Sequence, residues 1–216
     1  QIAPGRGRAQ SPDRAFRVAP AGPMAILRRN GIPEGGLGRM EPTVHLRSVD
    51  ISFAVPGRPP FHAVRGAELS VGPGEFVSIV GPTGCGKSTL LNAAAGLLTP
   101  AAGQVVIEGQ PLQGLNRKAG YLFQADALMP WKTAGDNVAI GLEVAGVPRR
   151  EAVARVHDWL VRVGLRGFAD RYPHMLSGGQ RKRVALAQML IRDPDILLMD
   201  EPFGPPVSYT HLRAHE

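Results

Sequence analysis

A glycine-rich loop carries the strongest chemical signal in the sequence. Residues 81–89 read GPTGCGKST and fit the pattern G-x-x-x-x-G-K-[ST]. Glycines let successive backbone N–H groups converge on one anion, while Lys87 can reach the β- and γ-phosphates and the Ser88 hydroxyl can bind Mg²⁺. The alternative is a plain glycine-rich turn. We predict a nucleoside triphosphate site formed by Gly81, Gly84, Cys85, Gly86, Lys87, Ser88 and Thr89.

Cys85 is the only cysteine of the chain and lies at a variable position of this loop. We expect its backbone N–H to bind phosphate, with a regulatory redox role as the alternative. One cysteine excludes an internal disulfide and fits a reducing compartment.

Two carboxylates end an apolar segment near the other end of the chain. Residues 196–201 read ILLMDE, the pattern of a strand that leads acidic side chains to its carboxyl end. Buried acids cost several kcal/mol unless a cation or hydrogen-bond donors compensate them. We predict that Asp200 holds Mg²⁺ and that Glu201 orients and deprotonates an attacking water. A solvated acidic turn is the alternative.

The elements that must position these residues alternate between strand and helix patterns. An apolar strand at 76–80 leads into the loop, and a helical period follows at 88–98. Other β-like segments are 44–49, 67–71, 105–107, 120–123 and 195–199, with a Gly/Pro-rich turn at 56–60. Helical segments are 133–166, broken near 146–148 and 164, and 180–192, where Val184, Ala187, Gln188 and Ile191 share a face. The order predicts an α/β domain.

Composition excludes several classes of protein. The chain has 216 residues, 44% of them hydrophobic, and no uninterrupted apolar run of about 18 residues or secretory pattern. The net charge of +7 does not indicate nucleic acid, because residues 1–39 carry seven arginines against two acidic residues. We expect a cytosolic protein.

Residues 176–180 read LSGGQ and are followed by RKRVALAQ. With the loop and the acidic strand, this segment resembles the signature of the ATP-binding-cassette ATPases. The resemblance implies a head-to-tail dimer in which Ser177, Gly178, Gly179 and Gln180 close on the ATP of the other copy. A helix start of local use is the alternative, and we expect the Arg-Lys-Arg run at 181–183 to face solvent or phosphate.

The resemblance also implies a fold and further site residues. The fold is α/β, a P-loop NTPase (RecA-like) core with an N-terminal antiparallel β subdomain and a helical subdomain. Gln124 matches the Q-loop glutamine, which contacts Mg²⁺ and the water and links the site to the membrane partner. Phe53 matches the aromatic that stacks on adenine, with Phe61 as the rival and a core role as the alternative.

Residues 126–131, 136–138 and 171–175 resemble the nitrate/sulfonate/taurine branch of importer ATPases. The branch implies an ATP- and Mg²⁺-dependent subunit on the cytoplasmic face of the inner membrane. Its partners would be a second ATP-binding subunit, permease subunits and, indirectly, a periplasmic solute-binding protein. Met129 and Trp131 would line the permease groove or be core. A non-transport ATPase and an exporter ATPase are the alternative functions.

The resemblance spans residues 42–204, and we assign one ATP-binding domain to residues 40–204. Residues 1–39 are predicted to be disordered or foreign, and residues 205–216 an unrelated tail, where a metal role for His211 and His215 is not expected. Where the family continues with Ala-Leu-Asp and later a switch histidine, this chain reads PPVSYT. We therefore expect unpaired strand edges, weak nucleotide binding, doubtful hydrolysis and poor solubility.

Overall fold

The computed structural model describes residues 24–29 and 42–202. The tail predicted at 205–216, with His211 and His215, lies outside the described residues, as does most of the segment 1–39. The strands are β1 (Ala25–Arg29), β2 (Val44–Val55), β3 (Arg58–Val71), β4 (Phe76–Val80), β5 (Ala102–Ile107), β6 (Gln110–Pro111), β7 (Ala119–Leu122) and β8 (Ile196–Met199). The helices are α1 (Lys87–Ala94), α2 (Ala134–Val144), α3 (Arg149–Arg162) and α4 (Gly178–Leu190), with a 3-10 turn at Pro173–Met175.

The chain divides into two compact units. Of the described residues, the first comprises 24–29, 42–87 and 101–110, and the second comprises 88–100 and 111–202. The predicted phosphate loop therefore belongs to the first unit through Lys87, whereas Ser88 and both predicted carboxylates belong to the second.

An antiparallel sheet of order β3-β2-β5-β6 forms most of the first unit. Alternating side chains of β2, such as Val44 and Leu46, are buried, as the apolar/polar pattern predicts. β3 begins at Arg58, nine residues before the predicted start at 67, because the turn narrows to Pro56 and Gly57. The antiparallel β subdomain of the sequence prediction is confirmed.

A second sheet in the first unit joins β1 and β4 antiparallel, with Ala25 opposite Val80 and Arg29 opposite Phe76. Residues 1–39 were predicted to be disordered or foreign, so β1 is a strand that the sequence analysis did not predict. The segment AILRR is too short to show a period, and it takes its conformation from the backbone groups along the edge of β4.

Helices α2, α3 and α4 pack together in the second unit around buried Val138, Val156, Leu160 and Val184. The predicted breaks at 146–148 and 164 separate these helices as expected. No helix in the described part of the chain is long and apolar enough to cross a bilayer.

Strands β7 and β8 pair parallel in the second unit, with Leu122 opposite Met199. Along β8, Ile196 and Leu198 are buried but Leu197 is 48% exposed. The strand predicted at 195–199 is therefore present, with one of its faces buried and Leu197 exposed on the other.

Candidate nucleotide site

The loop between β4 and α1 has the backbone that an anion nest requires. Gly84 and Gly86 have φ values of 81° and 99°, a region that favours glycine. Lys87 opens α1, and its Nζ donates to the carbonyls of Gly81 and Pro82, both at 2.9 Å. The ammonium group is thus already directed to the loop, and Ser88 and Thr89 follow in the first turn of the helix.

Gly86 is required by space as well as by conformation. A Cβ atom at this position would lie 2.7 Å from the carbonyl oxygen of Ala63 and 2.9 Å from Cγ2 of Val64. The nearer of these is a backbone atom of β3, which cannot move without disturbing the sheet. A Cβ atom at Gly84 would meet nothing within 4 Å.

The acidic end of β8 presents a buried carboxylate. Asp200 is 7% exposed, and its backbone N–H donates to the Leu122 carbonyl at 2.9 Å, one residue beyond the last pair of the β7–β8 ladder. Within residues 24–29 and 42–202, no side-chain or backbone donor bonds the Asp200 carboxylate. A cation fits this side chain, since its carboxylate oxygens are not used by a protein donor in this part of the chain and Mg²⁺ prefers oxygen ligands.

Gln124 and Glu201 are in direct contact. Gln124 Nε2 donates to Glu201 Oε2 at 2.7 Å, and both side chains are exposed. Glu201 has a φ of 48°, a left-handed conformation uncommon for a residue with a side chain. The turn separates the exposed Glu201 carboxylate from the buried Asp200 carboxylate that precedes it.

Tyr121 was missed as a neighbour of this acidic end. Burial, followed by the charge of Asp200, raises the pKa of Tyr121 to about 12. Its hydroxyl donates to Asn92 Oδ1 at 2.9 Å, and its ring lies 4.3 Å from that of Phe123. The sequence could have indicated this neighbour, because Tyr121 lies in a predicted strand that can pair with the acidic strand.

The predicted signature forms the start of α4. Ser177 caps the helix by accepting from Gln180 N–H at 3.3 Å, and Gln180 Oε1 accepts from Ser177 N–H at 2.8 Å. This reciprocal capping box fixes the helix start two residues earlier than predicted. Ser177, Gly178 and Gly179 are exposed, so the helix N-terminus is accessible to an anion.

The basic run after the signature remains accessible to solvent, with Arg183 exposed and Arg181 and Lys182 half-buried, but all three side chains also bond the protein. Arg181 Nε bonds Asp126 Oδ2 at 3.1 Å, and Arg183 Nη1 donates to the Val163 carbonyl at 3.2 Å. Lys182 Nζ donates to the carbonyls of two residues in the loop that follows β7. Every residue has a backbone carbonyl, so the sequence does not indicate which carbonyls these side chains bond.

The two aromatic candidates for adenine are neighbours in the first unit. Phe53 in β2 is opposite Phe61 in β3, and they are 40% and 58% exposed. That exposure does not fit the core alternative for Phe53. In the second unit, Trp131 is 72% exposed and Met129 is half-buried, so Trp131 is not a core residue either.

A glycine-rich loop between a strand and a helix, within an α/β chain that also ends a strand in two carboxylates, defines a P-loop nucleotide-binding protein. The family described as "ABC transporter" matches residues 64–204. The chain belongs to this family.

Curated relatives agree with this assignment. The chain is 47% identical over 148 residues to the taurine import ATP-binding protein TauB of Pseudomonas entomophila (strain L48), covering 68% of the chain and 57% of that relative. It is 45% identical over 142 residues to the uncharacterized ABC transporter ATP-binding protein MJ0412 of Methanocaldococcus jannaschii, covering 66% and 53%. The chain thus spans a little over half the length of the curated relatives it matches.

A solved structure supports the fold. The dimeric, post-hydrolysis ATP-binding cassette MJ0796 bound to ADP and Pi is 32% identical, with a TM-score of 0.65 over 74% of each chain. The predicted α/β P-loop NTPase class is therefore confirmed.

Proposed function

We propose that this chain is an ATP-binding and ATP-hydrolysing subunit that energises a bacterial importer of the nitrate/sulfonate/taurine type. The phosphate loop carries the proposal, because Lys87 and two left-handed glycines form the nest that a nucleoside triphosphate needs. The similarity to TauB supports the importer assignment, since that relative is named for taurine import.

In the proposed binding step, the loop N–H groups and the α1 N-terminus receive the phosphates. The Lys87 ammonium exchanges the carbonyls of Gly81 and Pro82 for β- and γ-phosphate oxygens. Ser88, Gln124 and Asp200 would hold Mg²⁺, which neutralises charge on the phosphates when bound. Phe53 or Phe61 would stack on the adenine.

In the proposed chemical step, Glu201 accepts the proton of the attacking water. Its carboxylate already has Gln124 Nε2 at 2.7 Å, so the glutamine amide can hold the carboxylate while the water is aligned. Asp200, buried one residue earlier, is suited to a cation and not to proton transfer with solvent.

We further propose that a second copy completes the site. The exposed Ser177, Gly178 and Gly179 at the start of α4 would bind the γ-phosphate held by the other copy. ATP would close the dimer and hydrolysis would reopen it, and permease subunits would follow these two states. The permease would contact the exposed Trp131.

The test is Mg²⁺-dependent binding of a fluorescent ATP analogue by the chain and by Lys87→Ala. We expect the variant to bind about 10- to 100-fold more weakly, because it loses charge-assisted hydrogen bonds to phosphate. Lys132→Ala removes the same charge from a residue that pairs with Glu143, and it should bind as the parent does. No binding by the parent chain, or equal binding by Lys87→Ala, would overturn the proposal.

The two alternative functions are tested separately. Co-purification with permease subunits and taurine-dependent ATP hydrolysis in vesicles containing a permease and a solute-binding protein would support the importer. ATP hydrolysis that never responds to a permease would favour a non-transport ATPase. Outward movement of solute would favour an exporter.

A further inference from the structure

The start of α4 is attached to the loop that carries Gln124. Lys182 Nζ donates to the Phe123 carbonyl at 2.9 Å and to the Gln124 carbonyl at 3.1 Å. We call residues 123–126 the Gln124 loop. Lys182 lies five residues after Ser177, the cap of the signature helix, so one helix carries both the exposed anion site and this attachment.

The Lys182 ammonium group bonds two carbonyls that lie beyond the end of the β7–β8 ladder and so have no partner in the sheet. The β7–β8 ladder ends at Leu122, whose carbonyl accepts from Asp200 N–H, and the chain leaves the sheet after that residue. An ammonium group has three donors, and Lys182 uses two of them on the next two carbonyls of the chain. Such charge-assisted bonds are stronger than neutral ones, so they hold the backbone of Gln124 firmly.

A second contact holds the other end of the same loop. Arg181 Nε bonds Asp126 Oδ2 at 3.1 Å, and Arg181 Nη1 donates to the Leu176 carbonyl at 2.8 Å. The guanidinium therefore bridges the Gln124 loop and the residue immediately before the Ser177 cap. Both ends of the loop are fixed to the first two turns of α4.

We infer that Lys182 is a positioning residue that sets the Gln124 amide against Glu201, and so links the signature helix to the hydrolytic carboxylate of the same copy. The path runs from Lys182 to the Gln124 carbonyl, and from Gln124 Nε2 to Glu201 Oε2. This inference rests on the proposed function. A shift of α4 when its N-terminus binds the other copy's ATP would move Glu201, so each site would respond to the nucleotide in the other.

A purely structural role for Lys182 predicts something different. It would lower the stability of the chain and reduce all activities together, with no special dependence on Gln124. A positioning role predicts a change at the Gln124 side chain itself and a loss of turnover without a loss of nucleotide affinity.

The first experiment observes Gln124 directly in the full chain. The side-chain amide resonance of Gln124 is assigned by its disappearance in the Gln124→Ala variant. In Lys182→Met this resonance should move to the position of a solvated glutamine, whereas in Lys182→Arg, which keeps donors for both carbonyls, it should stay near the parent position. Lys132→Met, a matched loss of one lysine charge, should leave it unchanged. An unmoved resonance in Lys182→Met would overturn the inference.

The second experiment measures single-turnover ATP hydrolysis and ATP affinity. Lys182→Met should lower the turnover rate about ten-fold while ATP affinity stays within about two-fold, and Lys182→Arg should recover most of the rate. In a Gln124→Ala background, Lys182→Met should have no further effect. An equal effect in both backgrounds would refute the positioning role. A parent chain that neither binds nor hydrolyses ATP would refute the proposed function, and the resonance would still report on the link.

Discussion

Gln124 and Glu201 lie 77 positions apart in the sequence, and their side chains meet with Nε2 and Oε2 at 2.7 Å. The contact follows from the parallel pairing of β7 and β8, which brings the residues after both strands to one edge of the sheet. It joins the glutamine that resembles the Q-loop residue to the carboxylate proposed as the base. The pair is therefore the natural target for the first test.

Replacing Gln124 by Ala should slow single-turnover hydrolysis about ten-fold, because the Glu201 carboxylate loses its donor and its alignment. Gln124→Glu should be slower still, since a second carboxylate next to Glu201 disfavours ionisation of both. Quenched-flow measurement of released phosphate checks both rates. Equal rates for the parent and Gln124→Ala would remove the glutamine from the mechanism.

Glu201→Gln should bind ATP but not hydrolyse it, so the proposed closed dimer should accumulate. Sedimentation with Mg²⁺ and ATP should then detect a dimer for this variant, and only a small dimer fraction for the parent under the same conditions. Ser177→Arg in the Glu201→Gln background is the control, because it blocks the exposed helix start that the other copy's nucleotide would approach. Normal turnover by Glu201→Gln would contradict the role of the carboxylate.

Gly86→Ala should destabilise the chain far more than Gly84→Ala. Both glycines have positive φ, which costs about 1 kcal/mol for an alanine, but only the Gly86 variant also forces a Cβ to 2.7 Å from the Ala63 carbonyl. We expect a further loss of about 1–3 kcal/mol at Gly86, as in other overpacked sites. Urea unfolding of the two variants measures the difference, and equal midpoints would contradict the close approach.

Asn137 should be one of the most sensitive positions of the second unit. It is fully buried, its Oδ1 accepts from Met129 N–H at 2.7 Å, and its Nδ2 is within 3.1 Å of the Met129, Lys132 and Thr133 carbonyls. Asn137→Ala should lower the free energy of unfolding by about 2–4 kcal/mol, because it removes the side-chain partners of the Met129 N–H and the Lys132 carbonyl, whereas the Met129 and Thr133 carbonyls keep backbone donors.

Asn137→Asp provides the sharper comparison for this position. It keeps an acceptor for Met129 N–H but removes the Nδ2 donor, so it should also be strongly destabilised. Gln113→Ala, the loss of an exposed amide in the same unit, should change the free energy of unfolding by no more than about 0.5 kcal/mol. A loss at Asn137 as small as this control would contradict the hydrogen-bond assignment.

Tyr121 should make stability depend on alkaline pH. Its pKa is about 12 in the folded chain and about 10 when unfolded, so the neutral hydroxyl is favoured by folding. The contribution is complete below about pH 10 and is lost as the pH rises through about 12. The tyrosinate absorbance of the parent minus that of Tyr121→Phe should titrate near pH 12. A midpoint near 10 would show that burial and Asp200 do not act on this hydroxyl.

The contiguous parts of the site could be predicted from the sequence, because their chemistry and their structure follow the same short segments. Three features follow short segments in this way: the strand before Gly81, the helix that begins at Lys87 and the carboxylates after Met199. The contact of Lys182 with the Gln124 loop could not be predicted, because carbonyls are present in every residue.

The start of β3 and the pairing of β1 with β4 could not be predicted from the sequence either. Pro59 and Pro60 read as a turn, but proline is accepted in a strand where its missing N–H is not needed by a neighbour. β1 depends on the edge of β4, which lies about fifty residues away along the chain.

The backbone at Glu201 has a consequence for how this chain would respond to selection. A left-handed residue with a side chain costs about 1–2 kcal/mol that glycine would not. Glycine would therefore make the chain more stable and remove the carboxylate in one step. A screen for heat-resistant variants alone would be drawn to this position. If Glu201 has the role proposed for it, such a screen would return proteins that do not hydrolyse ATP, because stability and hydrolysis would demand different residues here.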